Sequence, residues 1–185
     1  MSADKQVQYG FSLPEVMIGL MIVLLLLITT YSIFILSQQT QRRVDDRAEV
    51  VQNQRAMLDR MTRELRQANA IVTSLPAAEI IFEDGHGNLE NSPLQYIRYY
   101  LQGTDLYRQV RYYYFAGDPS THVKHNDTDG GGNPPLINIV EDRLVGEYTT
   151  SLGFSGSGTI TISISFSQNN QTVTLTADVT PRNLN

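Results

Sequence analysis

The sequence of 185 residues contains no cysteine. The chain therefore has no disulfide, no thiolate metal site and no cysteine nucleophile, and its redox compartment cannot be read from its composition. Basic residues are not in excess either, because 14 Lys and Arg stand against 19 Asp and Glu, for a net charge of -5. Nucleic-acid binding usually needs a basic face, so nucleic acid is not expected as a partner. No Ser-His-Asp or paired-carboxylate arrangement can be argued from the sequence, and we expect no enzymatic activity.

Charge is also nearly absent from a long stretch near the N-terminus. Between Phe11 and Leu36, Glu15 is the only charged residue. The run exceeds the roughly 20 residues that a helix needs to cross a bilayer. A cleaved secretory signal would have an apolar core of about 7–15 residues and a small-x-small exit, which "IFILSQQ" does not provide. The sequence therefore predicts a retained transmembrane helix at 11–36 behind a short polar segment at 1–10.

After this run the sequence becomes polar but keeps a helical rhythm. Apolar residues recur at steps of three, four or seven and form one stripe: Val44, Ala48, Val51, Leu58, Met61, Leu65, Ala68 and Val72. Neither Gly nor Pro occurs between Leu20 and Leu75. The pattern predicts a single helix from about Phe11 to Ile71, ended by Pro76, with an amphipathic continuation at 37–75 that packs on a soluble domain.

Beyond Pro76 the hydrophobic period changes from about 3.6 to 2, and turn formers appear at short intervals. "EIIFEDGHGN" reads as a strand that enters a turn, while "LQYIRYYLQGTDLYRQVRYYY" and "GTITISISFSQNNQTVTLTADVT" read as two hairpins. "GDPSTHVKHNDTDGGGNPP" reads as a loop, and "LINIVEDRLVGEYTTSLGF" as a short helix followed by a strand. We expect an antiparallel sheet of five or six strands at 76–185 with the helical stripe over one face, and hence an α+β fold.

The hexapeptide "GFSLPE" at residues 10–15 resembles the processing site of type IV prepilins and type II secretion pseudopilins. That family has a short leader ending in Gly, then Phe, then a hydrophobic segment with Glu as its fifth residue, followed by a pilin-like fold. The resemblance implies that prepilin peptidase cuts between Gly10 and Phe11 and that the new amino group of Phe11 is methylated. It also implies that Glu15 serves subunit assembly, because its carboxylate meets that amine on a neighbouring subunit.

Three further segments, "MLDRMTRELRQANAI", "IRYYLQGTDLYRQV" and "VTPRN", are similar to J-type minor pseudopilins and W-type minor pilins. The resemblance implies a minor subunit at the tip of a type IV pilus or a type II secretion pseudopilus. It implies a single-pass protein of the inner (cytoplasmic) membrane with a cytoplasmic N-terminus, which becomes part of a periplasmic or extracellular filament. The implied partners are prepilin peptidase, other pilin or pseudopilin subunits, the inner-membrane assembly platform and membrane lipid.

Simpler explanations stay open for the same residues. Without its surrounding motif, Glu15 is explained by a carboxylate that reaches the headgroups from the end of a membrane helix. Arg63 and Arg66 are interpreted as a solvated helix face beside Asp59 and Glu64. The whole chain is also compatible with a single-pass anchored β domain outside the cytoplasm that binds a ligand and does not polymerise.

Two other segments carry residues suited to binding. "HVKHNDTDGGGN" places His122, His125, Asp127 and Asp129 close together. Calcium is the ion that Asp127 and Asp129 would bind, but a bidentate acid is missing, so a surface turn without metal or cofactor is the favoured interpretation. The Tyr- and Arg-rich segment from Tyr96 to Tyr114 has the composition that stacks nucleic-acid bases. Cross-strand aromatic and cation–π pairing is favoured there, given the acidic balance.

Overall fold

The structure, a computed structural model, describes residues 12–85, 93–168 and 171–182. The predicted cleavage and methylation sites, Gly10 and Phe11, lie outside these residues. The fold is α+β, as predicted: one long N-terminal helix, α1 (Leu13–Gln67), precedes nine strands in the described part of the chain. The strands are β1 (Ala70–Ile71), β2 (Ile80–Glu83), β3 (Tyr96–Gln102), β4 (Asp105–Phe115), β5 (Asp118–Val123), β6 (Leu136–Gly146), β7 (Thr149–Ser155), β8 (Ile160–Gln168) and β9 (Gln171–Val179).

The chain divides into two units, Met1–Ala48 and Glu49–Asn185. The first contains the N-terminal part of α1, with Pro14 in the first turn, where a helix has no partner for a backbone N–H. Residues Leu13–Gln41 are long and apolar enough to cross a membrane. This confirms that the chain has an N-terminal helix able to act as a membrane anchor, and the span continues beyond the predicted end at residue 36.

In the second unit, α1 ends earlier than predicted. The helix stops at Gln67, whereas the sequence predicted an end at about Ile71 and a boundary at residue 75. Ala70–Ile71 instead form β1, which pairs antiparallel with β2. The helical periodicity continues past Gln67, but ladder bonds to β2 replace the helical bonds that those residues would have made. The carbonyl of Arg66 accepts a hydrogen bond from the N–H of Arg182 at 3.0 Å, which satisfies one of the free carbonyls of the helix end.

The strands form two antiparallel sheets, where the sequence predicted one sheet of five or six strands. The first sheet has the order β1-β2-β3-β4-β5, with β6 also paired to β4, and the second has the order β7-β8-β9. The two predicted hairpins, β3–β4 and β8–β9, are confirmed. Gly103 takes the positive φ that the tight turn between β3 and β4 requires.

Two strands lie where the sequence predicted other structure. Strand β5 occupies the first part of the predicted loop, and β6 occupies the predicted short helix. Both are mostly exposed and show no alternation of buried and exposed residues. Their pairing with β4 decides their conformation, and this information lies elsewhere in the sequence.

The core of the second unit lies between the amphipathic part of α1 and the sheets. From α1 it receives Met57, Leu58, Met61 and Leu65, of which the last two are fully buried. Both sheets contribute buried apolar residues: Ile80, Phe82, Ile97, Tyr99, Leu106, Leu152, Phe154, Ile160, Ile162, Ile164 and Val179. The prediction that the stripe covers the face of a sheet is thus confirmed for its members from Leu58 to Ala68. Val44 and Ala48 belong to the first unit.

Candidate assembly surface

Glu15 lies in the first turn of α1. Its N–H donates to the carbonyl of Ser12 at 3.0 Å, and that of Val16 donates to the same carbonyl at 3.2 Å. The Glu15 side chain is exposed, and within the described part of the chain its carboxylate has no hydrogen-bond or ion-pair partner. The helix dipole favours a negative charge there by at most about 1 kcal/mol. A charge within hydrocarbon costs about 3 kcal/mol, so the dipole alone does not hold this carboxylate in lipid.

The hydroxyl groups of the apolar span differ from Glu15, because they are satisfied within the helix. Thr30 donates to the carbonyl of Leu26 at 2.8 Å, and Ser32 donates to that of Ile28 at 2.9 Å. Thr29 and Thr40 make equivalent bonds to the preceding turn. Such side chains need no partner from water and are tolerated in lipid. Among described residues 12–41, Glu15 is the only charge.

The apolar side chains of the span are exposed around the helix. Apart from the half-buried Ile35, every Leu, Ile, Val, Met, Phe and Tyr side chain between Leu13 and Leu36 is exposed. An apolar surface of this extent is not stable in water. It needs lipid or the apolar surface of other helices, and the first unit is therefore suited to a membrane or to a bundle of like helices.

A charged network joins α1 to the first sheet within the second unit. The hydroxyl of Tyr99 donates to Oε2 of Glu64 at 2.6 Å, and Nε of Arg108 lies 3.1 Å from both Glu64 oxygens. Arg60 donates to Oε1 of Glu64 at 3.0 Å, and Nη1 of Arg108 donates to Glu141 at 3.2 Å. The side chain of Arg108 is 10% exposed and that of Glu64 is 19% exposed, so this pair is largely removed from water.

The surroundings shift the pKa values of Arg108 and Tyr99. Burial would lower the pKa of Arg108, but the hydrogen bond and negative charge of Glu64, with the negative charge of Glu141, raise it above its ordinary value. Burial, together with the charge and hydrogen bond of Glu64, raises the pKa of Tyr99 far above its ordinary value. Tyr99 is therefore a neutral donor and Arg108 a permanent cation at physiological pH.

This network was not predicted from the sequence, because Glu64 was assigned to a solvated helix face. One signal was present: Glu64 lies directly before Leu65 and three positions after Met61, both on the apolar stripe. On β4, Arg108 lies two positions from both Leu106 and Val110, which are buried, and so it is on the same face of the strand. The hydrophobic period thus places Arg108 at a position facing the interior and Glu64 beside one. Two such residues of opposite charge are candidates for a buried ion pair.

The two candidate calcium ligands, Asp127 and Asp129, accept hydrogen bonds within their own loop. Oδ1 of Asp129 accepts from the N–H groups of Gly131 and Asn133, both at 2.8 Å. The Asn133 side chain donates to both Asp129 oxygens, and these bonds lower the pKa of Asp129. Asp127 accepts from the N–H of Lys124 at 2.8 Å. The described residues contain no group of three or more His, Cys, Asp and Glu that could hold a metal ion.

The two histidines of that segment make aromatic contacts. The His122 ring stacks on Tyr112 with centroids 3.8 Å apart, and its Nδ1 lies 2.9 Å from the carbonyl of Leu94. The His125 ring meets Tyr96 edge to face at 5.8 Å, and the backbone N–H of His125 donates to the Tyr96 hydroxyl at 3.2 Å. Both histidines therefore fix the loop against the first sheet.

The Tyr- and Arg-rich strands pair with each other across the sheet. Tyr100 and Tyr107 lie opposite each other and stack with centroids 5.5 Å apart, and the Arg98 guanidinium lies 4.2 Å from the Tyr100 ring centre. Tyr96 and Tyr113 meet edge to face at 4.9 Å. The predicted cross-strand aromatic and cation–π pairing is confirmed. That nucleic acid is no partner stays a prediction.

A cleft of about 470 Å³ lies between α1 and the end of β6 in the second unit. Gln54, Met57, Leu144 and Gly146 are among its lining residues. The Gln54 amide donates to the carbonyl of Glu147 at 2.8 Å, while its Oε1 is buried without a partner. A Cβ at Gly146 would lie 2.8 Å from the Met57 sulfur, so only glycine fits this approach of strand to helix without a shift.

No protein-family model, curated protein or solved structure matches this chain. A relation to pilins is accordingly a proposal, and it rests on the sequence motif at residues 10–15 and the apolar helix behind it.

Proposed function

We propose that this chain is a minor pilin or pseudopilin, a structural subunit that prepilin peptidase processes between Gly10 and Phe11. It is then assembled into a type IV pilus or a type II secretion pseudopilus, at the tip. The observation that carries the proposal is Glu15, a lone carboxylate without a partner in the described residues, in the first turn of a helix whose charges are otherwise absent up to Gln41.

Assembly gives that carboxylate a partner. Removal of residues 1–10 creates a cationic amine on Phe11. In lipid, the amine and the carboxylate each cost a few kcal/mol if unpaired. Pairing Glu15 of one subunit with the amine of a neighbour neutralises both charges and fixes the axial offset between the two helices. The exposed apolar side chains around the span then pack against the equivalent helices of other subunits.

The same proposal assigns the partners and the location. The chain is inserted once in the inner membrane with a cytoplasmic N-terminus, where prepilin peptidase and the assembly platform act on it. Other pilin or pseudopilin subunits and membrane lipid contact the apolar span. The second unit presents its sheets outside the cytoplasm, and the protein is neither an enzyme nor a cofactor carrier.

The second candidate function is a membrane-anchored β domain that binds a ligand and does not polymerise. The observation in its favour is the cleft beside α1, where Oε1 of Gln54 is buried without a partner. The two candidates differ at the N-terminus, because an anchored domain has no need of processing at Gly10 and would keep its start at Met1.

The test is to express the full chain in cells that make prepilin peptidase and filaments. We expect mass spectrometry to find a mature chain that starts at a methylated Phe11. Glu15→Ala should still be cleaved but should enter filaments at least about tenfold less well, because the amine of the neighbour is left unpaired. Thr29→Val is the matched control in the same span, because its hydroxyl bonds only within the helix. Unprocessed chains that start at Met1, or Glu15→Ala filaments at the wild-type level, would refute the proposal.

A further inference from the structure

Strand β6 forms an apolar, unpaired edge of the first sheet. Among the described residues it pairs with β4 alone. Its apolar side chains are between 40% and 56% exposed: Leu136, Ile137, Ile139, Val140 and Leu144. Edge strands of monomers are usually short or carry charges, Pro or bulges, which prevent a further strand from joining the sheet. Strand β6 has 11 residues, and its charged residues, Glu141–Arg143, and its register shifts against β4 begin only at or after Val140. The residues from Leu136 to Ile139 carry no charge and pair with β4 in regular register. Such an edge is a template for another strand.

We propose that β6 pairs with β6 of a second copy of this chain, antiparallel, about a two-fold axis at Asn138. This register places Ile137 opposite Ile139 and Leu136 opposite Val140. All four are β-branched or aliphatic residues, which pair well across strands. Asn138 meets itself on the axis, and its exposed amide already donates to the Tyr112 hydroxyl at 2.6 Å. The contact is isologous, so it closes as a dimer.

The charges of β6 favour this register over others. Glu141 and Asp142 follow the apolar residues directly. An axis at either of them would place two identical carboxylates opposite each other, which is unfavourable. An axis at Val140 would place Ile139 opposite Glu141 and Ile137 opposite Arg143. With the axis at Asn138, the acidic residues lie beyond the paired segment.

The ends of the paired segment are also defined. Pro134 and Pro135 precede β6 and would lie opposite Asp142 and Glu141. Proline has no N–H and cannot extend a ladder, so pairing stops at these positions. Glu141 also keeps its bond to Arg108. The segment from Leu136 to Val140 is therefore self-complementary. This inference depends neither on processing at Gly10 nor on filament assembly.

The absence of cysteine allows a direct test by site-specific cross-linking. Asn138→Cys is introduced into the full chain, which is purified in detergent and mildly oxidised. Residues on the axis of an antiparallel pair have Cα atoms roughly 4.5–5.5 Å apart, a separation that a disulfide bridges. Thr172→Cys is the matched control: it is exposed on β9, the polar edge of the second sheet, and it reports collisions and association through the membrane span. We expect at least about fivefold more disulfide dimer at residue 138 than at residue 172.

A second pair of variants separates β6 pairing from other dimers. In the Asn138→Cys background, Ile139→Lys should reduce the cross-link to the level of Thr172→Cys, because a lysine at the edge blocks strand addition. Leu144→Lys, on the same strand but outside the paired segment, should leave it unchanged. Near-ultraviolet circular dichroism checks that both variants keep the fold. Three results would each overturn the proposal. One is an equal yield of disulfide dimer at residues 138 and 172, and another is a higher yield for Asp142→Cys than for Asn138→Cys. The third is cross-linking of residue 138 in cells to a different polypeptide only.

Discussion

Replacement of Arg108 by methionine should destabilise the second unit much more than the same replacement of Arg98. Each arginine pairs with a glutamate of another element: Arg108 with Glu64 of α1, and Arg98 with Glu79. The two pairs differ in burial. The side chains are 10% and 19% exposed in the Arg108–Glu64 pair, against 27% and 39% in the Arg98–Glu79 pair. The comparison therefore tests whether the more buried pair contributes more to stability.

The magnitudes follow from what each replacement leaves behind. Loss of one member of a fully buried pair costs about 3–5 kcal/mol, because the other charge stays buried. Glu64 would keep Arg60 and Tyr99 as partners and retains some exposure, so we expect about 2–3 kcal/mol for Arg108→Met. Glu79 is exposed enough to regain water, and Arg98→Met should cost at most about 1 kcal/mol. The difference of about 2 kcal/mol corresponds to roughly 6 °C in melting temperature for a domain of this size.

The tyrosines provide the assay. The chain has 10 Tyr and no Trp, and all tyrosines except Tyr9 and Tyr31 lie in Glu49–Asn185. Near-ultraviolet circular dichroism of the full chain in detergent therefore follows thermal unfolding of the second unit. The double variant of Arg108→Met with Glu64→Leu should recover most of the loss, because neither of the two most buried charges remains. Arg60 and Glu141 lose a partner but are 37% and 43% exposed and regain water, and the Tyr99 hydroxyl loses its acceptor. An Arg98→Met variant that melts as low as Arg108→Met would refute the reasoning.

Two further predictions concern the second unit. Gly146→Ala should lower the free energy of unfolding by about 1 kcal/mol, because its Cβ would lie 2.8 Å from the Met57 sulfur and the Met57 side chain must move. Gly153→Ala is the control, because nothing lies within 4 Å of its Cβ. Chemical denaturation measures both variants, and equal losses of unfolding free energy would contradict the packing of Gly146 on Met57. Burial raises the pKa of Tyr96 from 10.0 to about 12, and that of Tyr99 further. Both tyrosines ionise in the unfolded chain from about pH 10 but stay neutral in the folded protein. Their contribution to the free energy of unfolding is therefore fully present below about pH 10. It should decline by up to about 1.4 kcal/mol per pH unit for each group towards pH 12, and a flat unfolding free energy from about pH 9 to pH 11 would contradict this assignment.

The parts of the fold that the sequence predicted are those with strong local periodicity. The hairpin β8–β9 alternates strictly in sequence, the hairpin β3–β4 is rich in tyrosine, and the turns of both carry turn-forming residues. The helix stripe is equally regular, and Met61 and Leu65 are fully buried as expected. In β8 and in the stripe from Leu58 to Leu65 one face is buried, so the period of the hydrophobic residues reports the conformation directly.

The missed elements lack such a face. In β6, the spacing of Leu136, Val140 and Leu144 fits one side of a helix, and exposure of both faces removes the alternation typical of a strand. Strand β5 is polar and exposed, so its composition is that of a loop. Pairing with β4 determines both strands, and contacts between segments far apart in sequence cannot be read from local pattern.

In the candidate site, too, local sequence predicted one residue but not the contacts between distant ones. Glu15 is conspicuous in the sequence because no other charge lies near it, and the structure adds that its carboxylate has no partner within the described residues. The bond between Glu64 and Arg108 joins residues 44 positions apart. Each of these two residues alone is compatible with a solvated surface, and only the packing of α1 on β4 brings them together.

The network around Glu64 also has a consequence for how α1 is positioned in the second unit. Met57, Met61 and Leu65 recur at every fourth residue, so a shift of the helix by one turn would still present an apolar side chain at two of these three positions, with Asn53 or Asn69 at the third. Hydrophobic packing alone therefore discriminates only in part between neighbouring registers. Only one register brings Glu64 to both Arg108 and the Tyr99 hydroxyl. We infer that the network specifies the register of α1, at little net gain in stability. The double variant Glu64→Leu with Arg108→Met tests this inference. It should melt near the wild-type temperature, but its tyrosine bands in the near-ultraviolet circular dichroism spectrum should be weaker, because the helix is no longer held in one register. An unchanged spectrum would count against the inference.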